Sequence, residues 1–222
     1  MHRIMDMITG ANLAEFIYAS VAIMLAPGPS VMFTIARAVA WGRGTAILTV
    51  LGNSMGMLIL SLVIAVGLGP LLQRSELLLI FVQVLGGLYL IYLGIDALKH
   101  RRLHAADMVA INELKPAKPQ VVKQGFMVGV LNPKALVFFS AIFPQFVDAS
   151  VGSITIQMIW FGVIFAALAF LLDGMWAVVV GGSRDWFANS QSRLVALRTM
   201  GGVVMLLLGV LVIVPLVGAQ FS

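Results

Sequence analysis

The sequence predicts an all-α integral membrane protein of six transmembrane helices, arranged as two inverted three-helix repeats. Three observations carry this reading: an apolar composition, the spacing of charge-free runs, and landmarks that recur in the two halves. Of 222 residues, 61% are apolar and 10% charged, where soluble domains average about 45–50% and about 25%. So few charges cannot cover a soluble domain of this length. An ordinary soluble enzyme, a disordered chain and a coiled coil are excluded. The net charge of +5 lies between the hydrophobic runs, so it reads as topology rather than as a nucleic-acid surface. The chain has no cysteine, which removes disulfides, thiolate metal sites and a cysteine nucleophile.

A helix crosses a bilayer core with about 20 apolar residues. Charge-free runs of that size are Phe16–Ala36, Gly44–Gln73, Leu77–Ile95, Ala149–Leu172 (its helix continuing to Val180) and Thr199–Ser222. Gln124–Val147 is interrupted only by Lys134 and supplies the fourth span in chain order. The first run continues past Pro27 to Ala40, too long for the apolar region of a signal peptide. The whole chain, 1–222, reads as one transmembrane domain. A polar, basic stretch at 99–121 with Pro116 and Pro119 separates repeat one, about 12–98, from repeat two, about 122–218. Gly181–Arg198 reads as a second basic linker.

Six spans put alternate loops on opposite sides. Eleven basic residues then share one side: Arg37, Arg43, Lys99, Arg101, Arg102, Lys115, Lys118, Lys123, Arg184, Arg193 and Arg198. The other side has Arg3 and Arg74. Positive residues stay cytoplasmic, so both termini are expected outside the cytoplasm.

Gly86-Gly87 and Gly94 in the third span recur as Gly201-Gly202 and Gly209 in the sixth. The proline-rich Pro27-Gly28-Pro29 of the first has a counterpart in Asn132-Pro133-Lys134 of the fourth. Chance is the alternative, glycine being 22 of 222 residues. A true repeat of three spans, an odd number, must invert in the membrane.

The same two motifs carry the chemistry. Pro27 and Pro29 remove backbone donors, and Gly28 loosens the chain between them. Freed carbonyls in a bilayer are tolerated only against protein or a watery cavity. The motif is thus either a packing kink or a break after which a half-helix starts near Ser30, its amides facing a site. Asn132 before Pro133 caps a second such start. Lys134 costs about 2.5–3.5 kcal/mol at the bilayer centre. It therefore faces a partner inside the protein, unless it snorkels to an interface. Asp173 is the one acid deep within a span. It is a candidate to pair with Lys134, carry a proton or bind an amine, the alternative being a structural hydrogen bond. Asp96 and Glu15 read as interfacial. Asn53, within Gly52-Asn53-Ser54-Met55-Gly56, and the Gly125/Gly129 pair mark helix contacts.

His2, His100 and His104 lie outside the spans. No buried histidine or cysteine is offered to a metal, and no intramembrane serine–histidine arrangement suggests a hydrolase. No phosphate-binding glycine motif suggests ATP. No enzyme activity and no cofactor are expected.

Taken together, Ala26-Pro27-Gly28-Pro29, the Gly86-Gly87…Tyr89-Leu90…Tyr92-Leu93-Gly94 series and Asn132-Pro133-Lys134-Ala135 resemble the LysE/RhtB family of bacterial amino-acid exporters. Length, span number and the basic middle loop agree. The resemblance implies a secondary exporter of a small amino acid or derivative, driven by the proton gradient across the bacterial inner membrane. Many members carry an acid in the second span near Asn53–Met57. This chain has none there, which leaves Asp173 as the proton-coupling candidate. The substrate-binding candidates are Pro27, Gly28, Pro29, Asn53, Asn132, Pro133 and Lys134, with the substrate carboxylate meeting half-helix N-termini and Lys134. The expected partners are the amino-acid substrate, protons and the lipid bilayer, with no nucleic acid; a homo-oligomer stays open. The alternative is a cation channel or metal-ion exporter of similar architecture, which would want several buried carboxylates.

Overall fold

The computed structural model describes residues 11–25, 27–72, 76–103 and 115–218, and among these the secondary structure is helical. The helices are α1 (Ala11–Leu25), α2 (Pro29–Trp41), α3 (Arg43–Leu72), α4 (Glu76–Lys99), α5 (Lys118–Val130), α6 (Pro133–Val137), α7 (Ile154–Gly182), α8 (Arg184–Ala188) and α9 (Gln191–Gly218). After α6 the chain makes a π turn, Phe138–Ile142, and a 3-10 turn, Phe143–Phe146. Arg3, Arg74, His2, His104 and the 104–114 part of the middle loop lie outside the described residues.

Within α3, α4, α7 and α9 lie four segments each long and apolar enough to cross a membrane. The pairs α1/α2 and α5/α6 pass the same test only as bent units, at 50° and 40°, so the molecule has four spans, or six with each bent pair as one. It is a multi-pass membrane protein. The bends fall where the prolines predict. At the first, Gly28 stands extended before Pro29, and Pro29 opens α2. At the second, Asn132 is extended and Pro133 opens α6. Proline at the first helical position loses nothing, since that N–H has no intrahelical partner.

Several boundaries differ from the charge-free windows. Span five begins at Ile154 rather than Ala149, because Ala149–Ser153 forms a loop. Gln157 pins that loop by accepting from Asp148 N at 3.0 Å and donating to Asp148 O at 2.7 Å. Most of the expected linker Gly181–Arg198 is helical, in α8 and the first turns of α9. Arg193 stacks over Trp186 at 3.7 Å and donates to its carbonyl. A charge ends an apolar window but need not end a helix. Nor is Arg37 a loop residue: it is buried inside α2.

Two glycine seams set the helix pairs. Gly52 and Gly56 of α3 lie against Gly125 and Gly129 of α5 with both helices running the same way. A Cβ on Gly129 would stand 2.1 Å from Asn53 O, and one on Gly52 would stand 2.1 Å from Val122 O. In α4 and α9, Gly87 meets Gly209 and Gly94 meets Gly202. Ascending one helix descends the other, so this pair is antiparallel. Small residues let backbones meet in a solvent where apolar side chains gain nothing by leaving lipid. Between α2 and α3, Gly42 takes φ +81°, a backbone region that effectively requires glycine.

The buried core falls into two main clusters. One, phenylalanine-rich, contains Phe16, Phe138, Phe139, Phe143, Phe161 and Phe165 with Ile23, Met24, Met57 and Ala169. The other contains Val31, Met32, Ile35, Val50, Ala177, Val180 and Leu194. A layer of buried polar side chains separates them: Ser30, Asn53, Asn132, Lys134 and Asp173.

Candidate functional site

The polar layer begins with a missing N–H. In an unbroken helix the carbonyl of Ile23 would accept from residue 27. Pro27 has no donor. A buried carbonyl needs another partner, and Lys134 Nζ supplies it, donating to Ile23 O at 2.9 Å. Lys134 is 6% exposed, so it does not snorkel. A Cβ on Gly28 would stand 3.0 Å from both Cε and Nζ of Lys134; glycine leaves that space to the lysine. Pro27 O, also at the break, lies against Gly201 of α9, where a Cβ would stand 2.2 Å away.

Asn132 joins the two breaks. Its Oδ1 accepts from Lys134 N at 3.0 Å and Ala135 N at 3.4 Å, capping α6. Its Nδ2 donates to Ser30 Oγ at 3.0 Å, at the start of α2. Gly28 makes no side-chain cap for α2, so the first-turn amides of that helix are not satisfied by a cap of their own. Asp173, from the middle of α7, accepts from Asn53 Nδ2 at 3.1 Å. Ser30, Asn132, Lys134 and Asp173 line one small cavity together with Ile23, Met24 and Phe165. Its volume is about 10 Å³, room for about one water.

The two breaks, which the sequence analysis pairs as counterparts, therefore face each other. Of the sequence candidates, Gly28, Asn132 and Lys134 touch, and Asn53 reaches the same layer through Asp173. Pro27, Pro29 and Pro133 act through the backbone. Side chains fill most of the space between the breaks and leave only that small cavity. Three features were not anticipated. Ser30 is the residue that bridges the breaks. Arg37 donates to Gln124 Oε1 at 2.5 Å and lies 4.3 Å over the Phe33 ring, tying α2 to α5. Phe16 stacks on Phe161 with centroids 4.4 Å apart, at the heart of the phenylalanine cluster. A buried arginine in a run of alanines was the available signal for the second; the others needed the fold. Asp96, by contrast, pairs with His100 at 2.8 Å at the surface.

Bent apolar spans around a buried lysine, a buried carboxylate and helix N-termini are a pattern met in membrane transporters. The chain matches the model of the LysE type translocator family over residues 21–215 and belongs to that family. An uncharacterized membrane protein of Pseudomonas aeruginosa is 30% identical over 195 residues, covering 84% of this chain and 87% of the relative. An uncharacterized membrane protein of Bacillus subtilis, YrhP, is 24% identical over 86% of this chain and 93% of its own. The homoserine/homoserine lactone efflux protein of Salmonella typhimurium is 30% identical over 60% of this chain and 63% of its own. No solved structure matches the chain.

Proposed function

We propose that this protein is a proton-coupled secondary exporter of a small amino acid or amino-acid derivative, with homoserine as the first substrate to try. The observation that carries the reading is the meeting of the two breaks: Lys134, Asn132 and the start of α2 around one buried cavity, with Asp173 on its wall. A substrate carboxylate suits the Lys134 ammonium and the amides at the α2 N-terminus. The substrate ammonium suits Asp173. Family membership supports translocation, and the Salmonella relative's name supports an amino-acid cargo.

Asp173 would carry the coupling proton. Ionised, it accepts from Asn53 Nδ2. Protonated, it can donate to the amide oxygen after an Asn53 flip, so one residue serves both states. Asn53 Oδ1 has no hydrogen-bond partner among the described residues, which leaves it available for that exchange. Six spans in two inverted repeats complete the reading. The antiparallel Gly87–Gly209 and Gly94–Gly202 contacts are what a two-fold axis in the membrane plane produces, each contact being the image of the other. The excess of basic residues puts the Arg37 end of the bundle in the cytoplasm, the phenylalanine cluster and both termini outside, in a bacterial inner membrane. A metal-ion exporter fits less well, since Asp173 is the one buried carboxylate among the described residues.

The test is efflux from cells preloaded with an amino-acid panel including homoserine, with and without an uncoupler. Export that stops on uncoupling supports antiport; export that persists down its gradient points to a passive pore. Asp173→Asn should retain substrate exchange and lose uphill export. Normal uphill export by that variant would remove Asp173 from the mechanism.

A further inference from the structure

A second cleft lies beyond the central site, on the phenylalanine side. Its volume is about 280 Å³, and Gln83, Gln145, Phe138, Phe146, Leu208 and Leu211 line it. That volume is close to the lower end of the usual range for small-molecule pockets, about 300–1,000 Å³, while the central cavity holds about one water. Gln83 sits two turns into α4 and is 6% exposed. Its carboxamide makes no hydrogen bond to the described residues, and its polar atoms are not among the fully enclosed ones, so they open onto the cleft. A carboxamide that opens onto a cleft without a protein partner offers a donor and an acceptor to a polar molecule that enters. Gln145 uses Nε2 on Ala141 O at 3.1 Å, and its Oε1 remains as an acceptor.

We propose that this cleft is a release-side binding site for a small polar amino compound, separated from the central site by the Phe138 ring. The proposal rests on the exporter reading. Phe138 lines the cleft, and its ring lies 5.0 Å from that of Phe165, which lines the central cavity. Phe138 also begins the π turn, a helix irregularity found often at functional positions. Two neutral amides suit a release site. They hydrogen-bond a zwitterion without the charge attraction that would retain it, as conduction through successive sites requires.

The cysteine-free chain permits a direct test. Gln83→Cys, and Gln145→Cys as a second variant, are treated in intact cells with a membrane-impermeant cationic thiol reagent. Val163→Cys, on the exposed face of α7, controls for lipid-facing positions, and Ser150→Cys for the external loop. Both cleft cysteines should label, and L-homoserine should slow labelling severalfold. Ser30→Cys should label about tenfold faster when combined with Phe138→Ala, a barrier change of about 1.4 kcal/mol. Labelling of Ser150→Cys but of neither cleft cysteine means a lipid-filled cleft and overturns the proposal. Labelling that none of the panel amino acids slows means a wet cleft without a binding site, and overturns it too. If labelling and protection are found but the wild type exports nothing, the exporter reading fails and the site stands. If export is normal and the cleft is silent, the site alone fails.

Discussion

Lys134 owes its partner to a proline more than a hundred positions away. Because Pro27 offers no N–H, Ile23 O is available to the ammonium. Pro27→Ala should restore a donor that competes for this carbonyl. A hydrogen bond to a charged group contributes about 1.5–3 kcal/mol, so transport is expected to fall about tenfold or more while membrane insertion is retained; efflux per inserted protein measures it. Lys134→Met keeps the length and removes the charge. Export should collapse, with insertion retained or improved, as fluorescence-detected chromatography of the solubilised protein can check. Unchanged export would return Lys134 to packing. Legibility was good at this scale for residues that are costly in a membrane. Lys134 and Asp173 announced themselves by charge, and Pro27 and Asn132 by backbone chemistry. Ser30 and Gln83 did not, because a small hydroxyl or an amide in an apolar run has many uses, and only the fold tells which neighbour it meets.

Among the elements, the α3–α5 seam also fixes the site, since Gly129 packs on the carbonyl of the residue that holds Asp173. Gly129→Ala must push the two backbones apart. Overpacking of that kind costs about 1–3 kcal/mol, and the midpoint of thermal aggregation in detergent should drop by several degrees. Gly182→Ala meets nothing within 4 Å and should be neutral or slightly stabilising, because alanine is the better helix former. The loop after the 3-10 turn gives a pH test. The Ser150 hydroxyl, then its N–H at 2.8 Å, hold the Asp148 carboxyl below the usual carboxylate range. A group more acidic in the folded state contributes above its unfolded pKa, and that contribution fades as pH falls through the folded one. The stability gap between wild type and Asp148→Asn should therefore be constant from neutral pH downward and close only below about pH 4. Helix identity was legible because apolar runs and prolines are local signals. Helix ends were less so. Arg193 extends α9 beyond its charge-free window by stacking on Trp186, a contact no window can register.

For the molecule as a whole, the charge split makes the sharpest statement. A reporter fused after Ser222 should be external, and one inserted at 105–118 should be cytoplasmic. Both on the same side would undo the six-span reading. The polar layer lies between two apolar clusters, and the sequence could suggest that layer only through its two proline breaks and the charges of Lys134 and Asp173. It could not foresee how tightly the layer closes, since that depends on rings brought together from α1, α7 and the π turn.

That closure bears on the energy supply of the cell that houses the protein. A cluster of phenylalanine rings lies on one side of Asp173, and on the other Arg37 lies over the Phe33 and Trp41 rings; such a seal would resist the passage of protons. On the proposed reading as a proton-coupled exporter, the protein at rest would draw no current, and many copies could sit in an energised membrane without running it down. Thinning the cluster at Phe138 to alanine should turn that silence into a standing leak, visible as faster collapse of a pH gradient in vesicles that contain no substrate at all.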